Sequence, residues 1–348
     1  MDTASFGRPP WWRRDGLEYV DKHLHLAGRD VAALARELGT PLFLYDSARV
    51  AEKLLVLRRA LDGSGLRGRV LYAMKANRFV PLLCHLRALG AGIDACSPAE
   101  VALARQVGFR AREISFTATS LSTRDLEALA RSPEVLVNCD SLSTVRRLAA
   151  LAPGRGVGLR IDPGLGVGYR DREKLRYAGG RHAKLGIALD RADEALHLAR
   201  RSGLRVTGLH VHAGCGYLTP QLPDFDRILA RLAALAERIH DLERINVGGG
   251  LGTPLTAEDE PLDLRAWAEI VAGRLGNLQT PAGGAIEIQV DAVDCKRAGF
   301  RGRAAGEPYG EITDLQHGSA LSADQQATAH RVADQADRLA RVVFIGEF

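Results

Sequence analysis

From residue 69 onward the chain repeats one pattern eight times: a short run of β-branched and apolar residues, then a segment whose apolar residues recur at helical spacing. The runs are RVLYAM (69–74), GIDAC (92–96), EISFTA (113–118), VLVNC (135–139), GVGLRID (156–162), VTGLHVHA (206–213), RINVG (244–248) and AIEIQVDA (285–292). Continuous apolar runs are what strands need when both sheet faces are covered. Eight such strands with helical crossovers close most economically into a (β/α)8 TIM barrel of the α/β class.

The helical segments between them include SPAEVALARQVG, STRDLEALARS, SLSTVRRLAALA, RADEALHLARRSG, FDRILARLAALAERI and LRAWAEIVAGRLG. SPAE and STRD each place an acidic residue three positions after a serine, the spacing of a capping box. Three parts are expected: an N-terminal segment over 1–45, the barrel over 46–292, and an atypical tail over 293–348. The tail is rich in Gly, Ala, Arg and Asp and shows almost no period-two alternation. With the N-terminal segment it is expected to form a residual, incomplete second β domain.

Composition narrows the function. The net charge is +5, but 41 of the 47 basic residues are Arg, spread over the helical segments among Asp and Glu. Such a surface argues against a nucleic-acid patch. No stretch has the roughly 18 apolar residues of a membrane span, and the first residues lack the apolar run of a secretory signal. A cytoplasmic protein is expected. The five cysteines (84, 96, 139, 215 and 295) form no C-x-x-C, so neither a disulfide framework nor a zinc site is suggested.

Active residues of such barrels sit at the C-terminal ends of the strands. Those positions hold Lys75, Asp94, Arg160, His212, the run Gly248-Gly249-Gly250, and Glu287. A desolvated lysine after an apolar strand becomes a nucleophilic amine able to form a Schiff base, although a packed stem with a solvated head is also open for Lys75. The NVGGGLG run allows backbone N–H groups to approach a phosphate, or serves as a tight turn. Of His210 and His212, one is expected at the barrel mouth, stacked on a flat cofactor, with no metal. Glu287, inside an apolar run, needs a positive partner such as a protonated pyridine nitrogen, unless its register turns it outward or toward an arginine. Together these groups describe a site for pyridoxal 5′-phosphate.

The motifs YAMKAN, GIDACSPAE, TATSLS, VNCDS, LRIDPGLGVGY, HAKLGI, LHVHAG and NVGGG, in this order, closely resemble the alanine-racemase-fold (fold type III) decarboxylases dependent on pyridoxal phosphate, in particular the diaminopimelate decarboxylase-like branch. The resemblance implies Lys75 as the Schiff-base lysine, with Asp94 beside it and Glu100 completing a D-x-x-S-x-x-E pattern. It also implies Arg160 near the phenolic oxygen, His212 on the pyridine face and Gly248, Gly249 and Gly250 on the phosphate. Cys215 replaces the serine common in H-x-G-S. The family's eighth strand ends in Glu-Pro-Gly; here Ile288 and Gln289 follow Glu287, and the family's C-terminal Cys-Glu-Ser type motif is absent.

The implied activity is decarboxylation of an amino acid of the diaminopimelate type, or of another diamino or conjugated amino acid. Glu287 would keep the pyridine nitrogen protonated and Lys75 would reprotonate the product carbon. A homodimer is implied if the second domain is intact. The alternatives are an amino-acid racemase on the same fold, whose relatives place an arginine against the pyridine nitrogen, and a cofactor-binding but catalytically impaired paralogue.

Overall fold

The computed structural model describes residues 16–40, 42–168, 184–254 and 259–292, and the backbone of 343–346. Cys295, Tyr169, His182 and most of the tail expected over 293–348 lie outside the described residues. The eight expected strands are all present: β1 Gly68–Ala73, β2 Gly92–Ala95, β3 Ile114–Thr117, β4 Leu136–Cys139, β5 Gly156–Asp162, β6 Arg205–Val211, β7 Arg244–Asn246 and β8 Glu287–Ala292. Each pairs in parallel with its sequence neighbours, and β8 pairs with β1, so the sheet closes on itself.

Helices surround the ring: α1 Ser47–Gly63, α2 Val80–Ala88, α3 Pro98–Val107, α4 Thr123–Ala130, α5 Leu142–Leu151, α6 Ala192–Arg201, α7 Leu222–Ala236 and α8 Leu264–Leu275. Of the two capping boxes the spacing suggests, only the one at Ser122 closes in full. Ser122 and Asp125 form a reciprocal box at the start of α4, and Ser97 caps α3 while the Glu100 carboxylate accepts the Cys96 amide at 2.8 Å. No helical period marks α2 in the sequence, because Leu82, Leu83, Cys84 and Leu86 are buried almost all round it. Its start is marked instead by proline in the first turn.

Outward-facing strand residues such as Val70, Ile93, Phe116, Val137, Leu159, Leu209 and Ile288 pack against the helices in one continuous core. The inward faces are mixed: large residues meet glycines across the ring. A Cβ on Gly158 would lie 2.0 Å from Asn138 Oδ1, one on Gly208 would lie 2.9 Å from a Leu136 methyl, and one on Gly92 would lie 2.5 Å from a Leu71 methyl. The β5–β6 ladder is interrupted once, where register shifts between Val206 and Gly208 and leaves Thr207 unpaired. On the outer layer, Trp267 of α8 stacks on Phe225 of α7, Phe225 stacks on Tyr217, and the Trp267 indole N–H donates to the Tyr217 hydroxyl at 3.2 Å.

The second β element draws on both ends of the chain. Leu17–Val20, His23–Leu26 and Arg29–Asp30 form a three-stranded antiparallel sheet. Phe43–Asp46, which leads into α1, pairs antiparallel with Val343–Gly346.

Two substitutions test this packing. Trp267→Ala, which empties a fully buried site, is expected to lower unfolding stability by about 3–5 kcal/mol. Gly158→Ala, which forces Asn138 out of place, is expected to lower it by about 1–3 kcal/mol. Urea denaturation followed by circular dichroism measures both.

Candidate active site

Residues two apart on a strand share a face, so one row of side chains from each strand fills the barrel interior. At its C-terminal end these rows bring together Asp94 of β2, Arg160 of β5, His210 of β6 and Asp291 of β8, with Asn246 of β7 beside them. His212 follows β6 directly. Lys75 lies in the 3₁₀ turn Met74–Ala76 after β1. That turn is held by the Tyr72 hydroxyl, which donates to the Asn77 carbonyl at 3.2 Å, and by the Asn77 side chain, which accepts the Phe79 amide at 2.9 Å.

The centre of the floor is Asp291. The Asn246 side-chain amide donates to Asp291 Oδ1 at 2.9 Å, while Asn246 Oδ1 accepts the Gly248 N–H at 2.7 Å. His210 Nε2 faces Asp291 Oδ2 at 3.8 Å. Burial pushes the Asp291 carboxyl up, but His210 and the Asn246 hydrogen bond outweigh it and hold the group below its usual range. Asp94 behaves oppositely. Burial, reinforced by the Asp291 charge, raises its carboxyl well above the usual range against the pull of Lys75 and Arg160. Two carboxyls sharing a dry floor cannot both ionise cheaply; Asp291 carries the charge and Asp94 the proton.

The imidazoles stay neutral. Burial lowers His210, and it lowers His212 to about 3 with Arg160 adding to the shift. Cys215 Sγ lies 3.7 Å from His212 Nε2; burial raises its thiol, as it raises that of Cys96 to about 11. Neither is a thiolate at neutral pH. Cys215 is set there by the short parallel pairing of Gly214–Cys215 with Val167–Gly168.

The glycine run wraps the same end. The Gly250 carbonyl accepts the Gly216 and Tyr217 amides at 2.8 and 3.1 Å. A Cβ on Gly248, Gly249 or Gly250 would lie 2.4 Å from the Val211 carbonyl oxygen, 2.5 Å from that of Asp291 and 1.7 Å from that of Gly214. Close approach of the β6, β7 and β8 ends therefore requires glycine at all three positions. Among the described residues the Gly249 and Gly250 amides donate to no protein acceptor.

Several expectations need correction. Glu287 is not near Lys75. It is the first residue of β8, at the opposite end of the barrel, where it takes Arg69 Nε at 3.2 Å and the Gln289 amide at 2.8 Å. The alternative of a partner arginine is the one realised. His210 is buried in the inward row, and His212, directly after the strand, is partly buried beside Cys215 and Gly248. Lys75 is exposed at the mouth, so the desolvated amine expected from its apolar strand is not seen. Sequence reasoning missed Asp291. Its signal was the polar spacing of Glu287, Gln289 and Asp291, of which only the last reaches the C-terminal end. Glu100 is buried beneath the Cys96 amide, away from any reacting position of its own.

The residues present fit pyridoxal 5′-phosphate. Asp94 Oδ1 and His210 Nδ1 are buried with no protein partner, a cation and an amine stand beside an ionised carboxylate, and a glycine loop offers two amides. Among the described residues no cluster of His, Cys, Asp and Glu could hold a metal ion, and no helix is long and apolar enough to cross a membrane.

Comparison with known proteins agrees. Residues 47–291 match the family model described as "Pyridoxal-dependent decarboxylase, pyridoxal binding domain". Diaminopimelate decarboxylase of Methanothermobacter thermautotrophicus is 36% identical over 264 residues, covering 74% of this chain and 60% of that protein. The Streptomyces coelicolor enzyme of the same name is 31% identical over 270 residues, covering 76% and 58%. The chain thus spans about three fifths of the length of these relatives. The crystal structure of diaminopimelate decarboxylase from Helicobacter pylori complexed with L-lysine superposes with a TM-score of 0.65 at 21% identity, covering 75% of this chain and 66% of that one, which supports the fold. With its barrel, its glycine loop and its matched domain, the chain belongs to the pyridoxal-dependent decarboxylases.

Proposed function

We propose that the chain decarboxylates an amino acid of the diamino class, diaminopimelate first among candidates, with pyridoxal 5′-phosphate held at the C-terminal end of the barrel. The relatives' names support the substrate class. The observation that carries the chemistry is the buried Asp291 carboxyl, hydrogen-bonded by Asn246, at the same end of the barrel as the exposed Lys75. When bound, the cofactor supplies an aldehyde that condenses with amines and a ring that accepts an electron pair.

The protein's own residues take the remaining roles. Lys75 presents the amine that anchors the cofactor, and its Nζ carries the proton that replaces the lost carboxylate. Asp291 would offer its carboxylate to a ring N–H of the cofactor, the role expected earlier of Glu287. An arginine there, as in racemising relatives, would leave the ring nitrogen unprotonated; the carboxylate favours loss of carbon dioxide over stereoinversion. Arg160 offers a cation to the ring oxygen, the neutral His212 a flat face, and Gly248, Gly249 and Gly250 a backbone cradle for phosphate, with Cys215 beside it. Asp94 keeps a proton next to Lys75. A cytoplasmic homodimer is part of this proposal; the free thiols of Cys84, Cys96, Cys139 and Cys215 suit a reducing compartment.

Borohydride reduction of the cofactor-loaded protein, followed by peptide mapping, is expected to place a pyridoxyl group on Lys75 and none in Lys75→Ala. Carbon dioxide release from meso-diaminopimelate, L-lysine and L-ornithine tests the activity; stereoinversion without gas overturns it. Asp291→Asn is expected to weaken cofactor affinity at least tenfold, whereas Glu287→Gln changes it less than twofold, as read by equilibrium dialysis.

The buried imidazoles predict an acid response. The folded His212 has its pKa lowered from 6.5 to about 3, so its contribution to stability is fully present above about pH 6.5 and is lost as pH falls toward 3, where only the unfolded chain takes the proton. Urea titrations of the cofactor-free protein across this window are expected to show His212→Phe losing about 1.4 kcal/mol less per pH unit than the parent.

A further inference from the structure

The end of the barrel away from Lys75 holds a second cavity, of about 670 Å³, that the proposed chemistry does not use. Its walls are the N-terminal ends of the strands and the loops that precede them. Six arginines converge there: Arg67, Arg69, Arg110, Arg112, Arg205 and Arg244. They face three carboxylates, Asp241, Glu243 and Glu287.

Two of the six are committed. Arg69 is held by Glu287 at 3.2 Å, and Arg110 Nε donates to Glu113 at 2.9 Å. Arg67 donates to the Ala285 carbonyl at 3.4 Å. Among the described residues Arg112, Arg205 and Arg244 have no carboxylate within ion-pair distance. Much of the remaining arginine surface is treated differently: Arg49, Arg191 and Arg265 each pair with a glutamate one turn along their own helix. With six cations facing three carboxylates the wall stays net positive, and its concave shape focuses that field.

We propose that this basal cavity binds a compact multivalent oxyanion, a di- or triphosphate group carried by a small molecule. Guanidinium groups present paired N–H donors that match phosphate oxygens, and several of them converging favour a polyanion over a single charge. The volume suits a small-molecule ligand. Among the described residues no aromatic side chain lines the cavity, so recognition rests on the phosphates and not on stacking against a base. Glu243, exposed on the rim, opposes the anion and weakens it. The cofactor's own phosphate is not the ligand meant, since its cradle lies at the opposite end of the strands.

The test is calorimetric titration of sodium tripolyphosphate into the cofactor-loaded protein, reduced with borohydride so that the mouth stays filled, in 150 mM salt. One ion is expected per chain, with orthophosphate at least tenfold weaker. The double substitution Arg112→Gln with Arg244→Gln is expected to weaken tripolyphosphate at least tenfold while leaving the Lys75 adduct intact. Glu243→Gln is expected to tighten it two- to fivefold, and this variant carries the test should the double variant fold poorly. Absence of binding, or affinity unchanged in these variants, overturns the proposal.

Discussion

The hydrogen bond from Asn246 to Asp291 ties the last two strands of the barrel together at the point where the chemistry is expected. It is a polar contact between two strands of a closed ring, and both side chains are buried. A buried carboxylate survives there only because a donor meets it, and that donor is in turn fixed by the Gly248 amide. The glycine loop, the floor charge and the closure of the sheet are thus parts of one arrangement. Removing any of them exposes the others to an unpaired charge.

The interior around that bond is polar for much of its depth. Asn138 donates to both Ser115 and Thr117 at 2.9 Å, spanning two strands, and Gln289 donates to Glu287. Apolar packing is left to the outer faces, where the strands meet the helices. The barrel is therefore stabilised from outside and specialised from inside. That division explains why glycine recurs on inward positions: the side chains opposite are large, and the ring has a fixed diameter.

Much of this was legible in the sequence. Eight strands and the helix starts at Ser97 and Ser122 could be read because continuous apolar runs and capping residues are local signals. So could Lys75, Asp94, Arg160, His212 and the glycine run, because a strand's C-terminal end follows from where the strand stops. Glu287 was misplaced for lack of register. The run AIEIQVDA contains two carboxylates four residues apart, and sequence alone does not say how far the strand extends. Pairing with Arg244 and Gly68 fixes the start of β8 near Glu287, which leaves Asp291 at the far end. The arginine cavity was invisible for a related reason, since its residues come from β1, β6 and β7 and from the loop before β3.

The unpaired Thr207 in β6 has an effect larger than its size. Upstream of it Arg205 lies opposite Gly156; downstream His210 lies opposite Arg160. Were Thr207 paired and not bulged, every later residue of β6 would shift by one position against β5, and the imidazole at 210 would turn from the barrel interior toward the helices. One bulged residue thus keeps the inward row of β6 in step with that of β5.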